Sequence, residues 1–244
     1  GAHTIPMAKV CQQVIAFEPQ RIVIDILKMN CALNDCTNVE VVPCGLGDVR
    51  SIERFPVFNF NSASNVGGAS PIDISTHPGI TTYPVSFVPL DDWLLGRAVN
   101  FMKIDAEGSE EIVLRGARET LAKHHPALYI ENDRREKSPG LVAEIYRNGY
   151  RAFWHTVPLF NPENMVGDPM NVFEIIRDGT KIKLTSIDLL CFHESDTRYD
   201  TSQLIECPPD NPEFQGLANE ITTKLPGVLD VPKAVVSPMA GAMP

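Results

Sequence analysis

The sequence predicts an α/β fold, a doubly wound and mostly parallel sheet, on three observations. Short apolar runs alternate with stretches whose apolar residues recur at helical spacing. Three of the runs end on an acid: Glu18, Asp105 and Glu131. Ligands of open α/β sheets gather at the carboxyl ends of the strands, so acids aligned along one edge mark both a topology and a site.

Gly1-Ala2-His3-Thr4-Ile5-Pro6 reads as entry into a helix, with Pro6 tolerated in a first turn whose N–H groups lack intrahelical partners. The strand that should lead into this helix is missing from the sequence. Val14 to Phe17 is a short strand closing on Glu18-Pro19, and Ile22, Ile26, Met29 and Leu33 recur at helical steps from Gln20 to Asn34. Val39 to Val42 is the next strand; it runs into Pro43-Cys44-Gly45-Leu46-Gly47-Asp48, a turn whose glycines permit a close approach. Residues 50 to 79 read as one long irregular loop rich in Asn, Ser, Gly and Pro.

Tyr83, Val85 and Phe87 alternate as a half-buried strand, and Leu90 to Leu95 forms a short helix with acid in its first turn. Phe101 to Ile104 is a buried strand, followed by Asp105-Ala106-Glu107-Gly108. Beyond that turn Val113, Ala117 and Leu121 predict one helix, which stops before Pro126. Ala127 to Ile130 is a further strand ending in Glu131-Asn132. Leu141, Val142, Ile145 and Tyr146 mark a helix that Gly149 can cap. Tyr150 to His155 and Ile187 to Phe192 complete the strands, on either side of a Pro- and Asn-rich excursion from Pro158 to Asn171. These elements make one domain over residues 1–193. Residues 194–244 form a Pro-rich C-terminal extension with room for one short helix near Phe214 to Lys224, ordered only if it docks.

Lys plus Arg number 21 and Asp plus Glu 31, a net charge of -10 that argues against nucleic acid or an anionic membrane as partner. A small molecule or a glycan fits this balance better. The six cysteines form no C-x-x-C pair and read as reduced thiols of a cytoplasmic protein. No run approaches the ~20 apolar residues of a membrane helix.

A carboxylate at Glu18 lies close to the ~20-residue separation at which a dinucleotide fold sets an acid on a ribose diol, and Gly1 would supply the backbone turn beneath the cofactor. A strand-end glutamate in solvent is the alternative. Five segments then occur in a telling order: V-I-A-F-E-P (Val14 to Pro19), N-V-E-V-V-P-C-G-L-G-D (Asn38 to Asp48), P-L-D-D (Pro89 to Asp92), F-M-K-I-D-A-E-G-S-E with V-L-R-G-A (Phe101 to Ala117), and P-A-L-Y-I-E (Pro126 to Glu131). Together they resemble the FkbM family of S-adenosylmethionine-dependent methyltransferases. N-P-E-N (Asn161 to Asn164) and D-L-L-C (Asp188 to Cys191) look like its closing section, so the similarity covers about residues 1 to 193.

The resemblance implies a Rossmann-like, seven-strand class I methyltransferase sheet, mostly parallel with an antiparallel last strand. The first strand and part of the glycine loop are missing from this chain. By position, Gly1 looks like the final glycine of the cofactor loop, Glu18 the ribose-binding acid, and Gly45 with Leu46 the backbone beside adenine. Asp105 would lie near the methionine moiety or the acceptor. The implied reaction is O-methylation of a hydroxyl on a sugar, glycan or secondary metabolite.

Such a transfer needs the acceptor oxygen in line with the methyl carbon and a base for its proton. Asp105, Glu131 and His155 are the catalytic candidates. Glu107 either meets the acceptor or caps its own helix, and His155 is either a base or a satisfied structural histidine. Asp105 with Glu131 and Asn132 also resembles the Mg²⁺ ligand placement of catechol and some sugar O-methyltransferases, so an octahedral oxygen site is a further expectation. The alternative is that Asp105 only orients cofactor and Glu131 only caps a buried loop. Phe58, Phe60, Trp154 and Phe160 are candidate walls of an acceptor pocket, or plain core. Two rival classes stay open: an NAD-type oxidoreductase, served equally by a ribose-binding glutamate, and a non-catalytic methyltransferase-like binding protein.

Overall fold

The computed structural model describes residues 1–57, 69–71, 79–163, 167, 169–170, 173–177 and 180–210. Phe58, Phe60, Asn164 and the helix expected near residues 214–224 lie outside them. The first half of the chain contains α1 (Thr4–Ala8), β1 (Val14–Phe17), α2 (Arg21–Leu33), β2 (Val39–Val42), β3 (Gly45–Leu46), β4 (Ser51–Pro56), β5 (Thr82–Val88) and α3 (Leu90–Leu94). The second half contains β6 (Phe101–Ile104), α4 (Glu110–Arg115), α5 (Arg118–His124), β7 (Ala127–Glu131), α6 (Ser138–Arg147) and β8 (Tyr150–Pro158), then β9 (Glu174–Arg177), β10 (Thr180–Lys183) and β11 (Thr185–His193).

The fold is mixed α/β, but its strands form several small sheets rather than one. The largest has the order β6-β7-β11-β8. In it β6 and β7 are parallel, and β11 runs antiparallel to both β7 and β8, so the last strand has the expected direction. β1 and β2 form a separate parallel pair, and β5 lies between β3 (parallel) and β4 (antiparallel). Among the described residues β1 pairs only with β2, and β6 only with β7. One edge of each therefore carries unpaired main-chain groups.

The two faces of the large sheet differ as period-two alternation requires. Met102, Ile104, Leu128, Ile130, Leu189 and Cys191 join a core with Val113, Leu114, Leu121, Leu141, Val142 and Ile145 from α4, α5 and α6. The opposite face carries Lys103, Tyr129, Glu131, Asp188 and His155. Glu144, fully buried in α6, accepts hydrogen bonds from Arg118 Nε at 2.8 Å and from Arg147, tying α5 to α6.

Two expectations are corrected, and two features lie beyond what the sequence pattern specified. The helix after Gly108 is two helices, α4 and α5, broken at Gly116-Ala117. Gly116 packs so tightly that a Cβ there would come within 2.0 Å of Gly47 O. Asp91 accepts from the N–H groups of Glu119 and Thr120 at 2.9 Å each and so caps α5 from a distant segment that local pattern cannot reveal. Ser51–Pro56 is a strand inside the stretch read as irregular, with Phe55 as its buried anchor. The β9–β10 hairpin was not foreseen. Finally, α2 buries Ile24, Leu27 and Cys31, leaving Ile22, Ile26, Met29 and Leu33 exposed. The helix is apolar on two faces, and packing rather than periodicity selects the inner one.

Residues 194–207 lie against the sheet. Trp154 N–H donates to Ile205 O at 2.9 Å, and Cys207 N–H to Ala152 O at 2.8 Å, which covers the outer edge of β8. Glu206 ion-pairs with Arg151 and accepts from Tyr146 Oη, and Tyr199 stacks on Phe192. All six cysteines are free thiols. No helix among the described residues is long and apolar enough to cross a membrane.

Candidate active site

The turn after β6 is built by main-chain strain and a buried acid. Glu107 and Gly108 both adopt left-handed backbone, φ 52° and 87°. That costs little for glycine but is a strained choice for glutamate. Glu110, 5% exposed, compensates: its Oε1 accepts from Ala106 N–H at 2.8 Å and Gly108 N–H at 3.0 Å. Lys137 Nζ donates to Gly108 O at 2.7 Å, and Arg134 pairs with Glu107. The role considered for Glu107, capping its own helix, falls instead to Glu110 in the reverse sense: the helix acid holds the turn.

Three carboxylates meet here. One oxygen each from Asp105, Glu107 and Glu131 lies within 4.8 Å of the others. Asp105 Oδ2 accepts from Lys103 Nζ at 2.8 Å. Burial opposes ionisation of Asp105, but Lys103 and a hydrogen bond from Glu131 outweigh it and hold its pKa below the usual value. Glu131 is pushed the other way, up to about 8, by burial and by the Asp105 charge. The two carboxyls are thus driven apart, Asp105 towards the charged form and Glu131 towards the protonated one. Burial also raises Glu107, against the pull of Arg134.

A hard cation would find the right donor chemistry in this trio, where Lys103 already engages Asp105 Oδ2 and Arg134 engages Glu107 Oε2. Asn132, the third expected ligand, is 3% exposed with its Nδ2 unpaired. A metal on those two oxygens would have to displace Lys103 and Arg134, and no step below involves one.

A cavity of about 730 Å³ opens from this turn along the unpaired edges of β1 and β6. Glu18, Gly45, Leu46 and Asp105, four of the five residues expected to bind cofactor, all line it. Gly1 does not; it packs near Ile5 and Leu27. Glu18 Oε1 accepts from Gln20 N–H at 2.8 Å, and burial raises its pKa. At Gly45 any Cβ would strike the Phe87 ring at 2.3 Å, so glycine is what lets that ring lie against the strand. Phe17, Phe55, Phe87 and Phe101 supply the aromatic wall. Trp154 is core, and neither it nor Phe160 lines the cavity.

Glu131 and His155 lie outside the lining but on the polar face of the sheet, where Asp188 is the register partner of both. Sequence reasoning missed Lys103, Tyr129, Asp188, Glu110 and Arg134. The available signal was spacing by two: Lys103 with Asp105, Tyr129 with Glu131 and Ser186 with Asp188 share one face of their strands.

Comparison with known proteins places the methyltransferase FkbM domain on residues 2–152. Among solved structures the chain is similar to a methyltransferase FkbM from Methylobacillus flagellatus KT, at 19% identity and a TM-score of 0.42, over 73% of this chain and 36% of that one. It is also similar to a precorrin-6y C5,15-methyltransferase from Geobacter metallireducens GS-15, at 9% identity and a TM-score of 0.37, over 73% of this chain and 65% of that one. The chain thus spans about a third and about two-thirds of their lengths. No curated protein matches it.

Proposed function

The chain belongs to the FkbM methyltransferase family, and from that premise we propose that it is an S-adenosylmethionine-dependent enzyme methylating a hydroxyl of a sugar, glycan or secondary metabolite. The observation that carries this reading is the convergence of Glu18, Gly45, Leu46 and Asp105, far apart in sequence, on one cavity. Its volume suits a cofactor-sized ligand. When bound, S-adenosylmethionine supplies an electrophilic methyl carbon on a sulfonium.

The residues then divide the work. Glu18 holds the ribose diol through its carboxylate, and the backbone at Gly45 and Leu46 lies along the base. Asp105, kept ionised by Lys103, orients the methionine end or the acceptor. His155, which lies outside the cavity lining and whose proton affinity burial lowers, is the candidate to accept the hydroxyl proton as the oxygen attacks. In-line positioning supplies most of the rate.

The reading extends to architecture. β1–β2 and β6-β7-β11-β8 are two parts of one Rossmann-like sheet, with the place of one strand open between β1 and β6. Residues 1–193 form the catalytic domain and 194–244 its extension. The acceptor is a small molecule or glycan, and the setting is the cytoplasm.

Isothermal titration with S-adenosylhomocysteine and NAD side by side tests the proposal. Heat from the first alone supports it; no heat and no thermal shift with S-adenosylhomocysteine overturns it. Asp105→Asn should cost turnover far more than melting temperature.

A further inference from the structure

Across the polar face of the large sheet, Tyr129, Asp188 and His155 come from three adjacent strands, β7, β11 and β8. Tyr129 Oη lies 2.9 Å from Asp188 Oδ2 and 3.1 Å from His155 Nδ1. The rings of Tyr129 and His155 meet edge-on, centroids 5.5 Å apart at 70°. Asp188 is 4% exposed, and its Oδ2 also accepts from Ser186 Oγ at 2.8 Å.

A phenol has one proton to give. The carboxylate of Asp188 is the stronger acceptor, because a hydrogen bond to an ionised oxygen is about twice as strong as a neutral one. The Tyr129 proton therefore points at Asp188, and only an oxygen lone pair faces His155 Nδ1. For that contact to be a hydrogen bond, Nδ1 must carry the imidazole proton. Nε2 of the neutral ring is then a bare lone pair.

We propose that Tyr129, held by Asp188, is a positioning residue that fixes His155 in the Nδ1–H tautomer and so keeps Nε2 ready to accept the acceptor hydroxyl proton. The inference rests on the methyl-transfer reading for its purpose, though not for its geometry. Two effects support it. Burial and the Asp188 charge push the Tyr129 phenol well above its ordinary value, so it keeps the proton it must donate. Burial lowers His155 against the opposing pull of Asp188. The other charged groups facing this network are Glu131 on β7, Lys103 on β6 and His3 at the start of α1.

The proton balance is simple. The hydroxyl proton moves to Nε2 as the oxygen lone pair forms the bond to the methyl carbon, and the broken carbon–sulfur bond leaves its pair on sulfur. The resulting imidazolium is stabilised by Asp188 through the Tyr129 oxygen.

The test reads the ring nitrogens of His155 by long-range ¹H–¹⁵N correlation in the full chain, with and without Tyr129→Phe. Wild type should show a protonated Nδ1 and a bare Nε2, and the variant should lose that preference. Tyr129→Phe should also lower kcat by about 10- to 100-fold, the scale found for partners that orient metal-bound histidines, with KM unchanged and the His155 limb of the pH profile displaced. A protonated Nε2 in wild type overturns the proposal, whether or not the variant folds. So does a Tyr129→Phe protein with the tautomer and kcat unchanged. Neither outcome touches the binding of S-adenosylhomocysteine, so failure here is distinct from failure of the methyltransferase reading.

Discussion

One carboxylate oxygen of Asp105 lies within 4.8 Å of one of Glu131 across the ends of two parallel strands, and burial together with the Asp105 charge favours the protonated form of Glu131. Glu131 is raised from 4.5 to about 8, so the folded state binds its proton more tightly than the unfolded chain does. The stability this contributes is complete below the unfolded value and is lost as pH rises through about 8. Asp105, lowered, contributes in the opposite sense, losing its share only as pH falls below its ordinary range. The melting temperature should decline from about pH 5 to about pH 8.5, and Glu131→Gln should flatten that decline. A scanning-calorimetry series in both proteins checks it; parallel curves would count against a raised Glu131.

Glu144 has no exposed surface, yet three arginines and Asn148 converge on it. The guanidinium groups stay about half exposed and can return to water when their partner is removed. The loss on Glu144→Ala should therefore sit at the lower end for a broken buried pair, about 3 kcal/mol. Urea unfolding at neutral pH measures it. Arg118→Met leaves Arg147 in place and should cost less.

Gly116 and Gly140 give a matched contrast. A Cβ at Gly116 would meet main-chain Gly47 O at 2.0 Å, whereas one at Gly140 would meet the end of the Glu111 side chain at 2.4 Å. Backbone cannot move aside, but a glutamate can. Gly116→Ala should destabilise by about 3 kcal/mol, the upper end for overpacking. Gly140→Ala, inside α6, should be neutral or stabilise by up to about 1 kcal/mol through helix propensity. Melting curves of the two variants decide.

Glu18 spends one oxygen on Gln20 N–H and lines the cavity. Glu18→Ala should weaken S-adenosylhomocysteine binding by roughly 1.5 to 3 kcal/mol, the scale of hydrogen bonds to a charged group. Calorimetric titration reads this directly, and an unchanged dissociation constant would remove Glu18 from the ribose.

Strands and acids were legible because they are local: the runs at Val14, Phe101 and Ala127 and their terminal Glu18, Asp105 and Glu131 fall where periodicity places them. What escaped depends on partners far along the chain. The break at Gly116 is enforced by Gly47, the cap of α5 comes from Asp91, and the turn at Glu107 is held by Glu110 and Lys137. The inner face of α2 could not be read from periodicity because both of its faces are apolar. Tyr129 and Asp188 look like ordinary strand residues until the sheet order sets them side by side.

The unpaired edges of β1 and β6 also bear on how the chain melts. With no ladder joining them, the β1–β2 pair and the β6-β7-β11-β8 sheet exchange no main-chain hydrogen bonds among the described residues. Heat should then be absorbed in two steps, the smaller β1–β2 unit giving way before the sheet clamped by α4, α5 and α6. A strand laid between β1 and β6 would merge the two endotherms into one, so cooperativity itself becomes the gauge of whether that gap is filled.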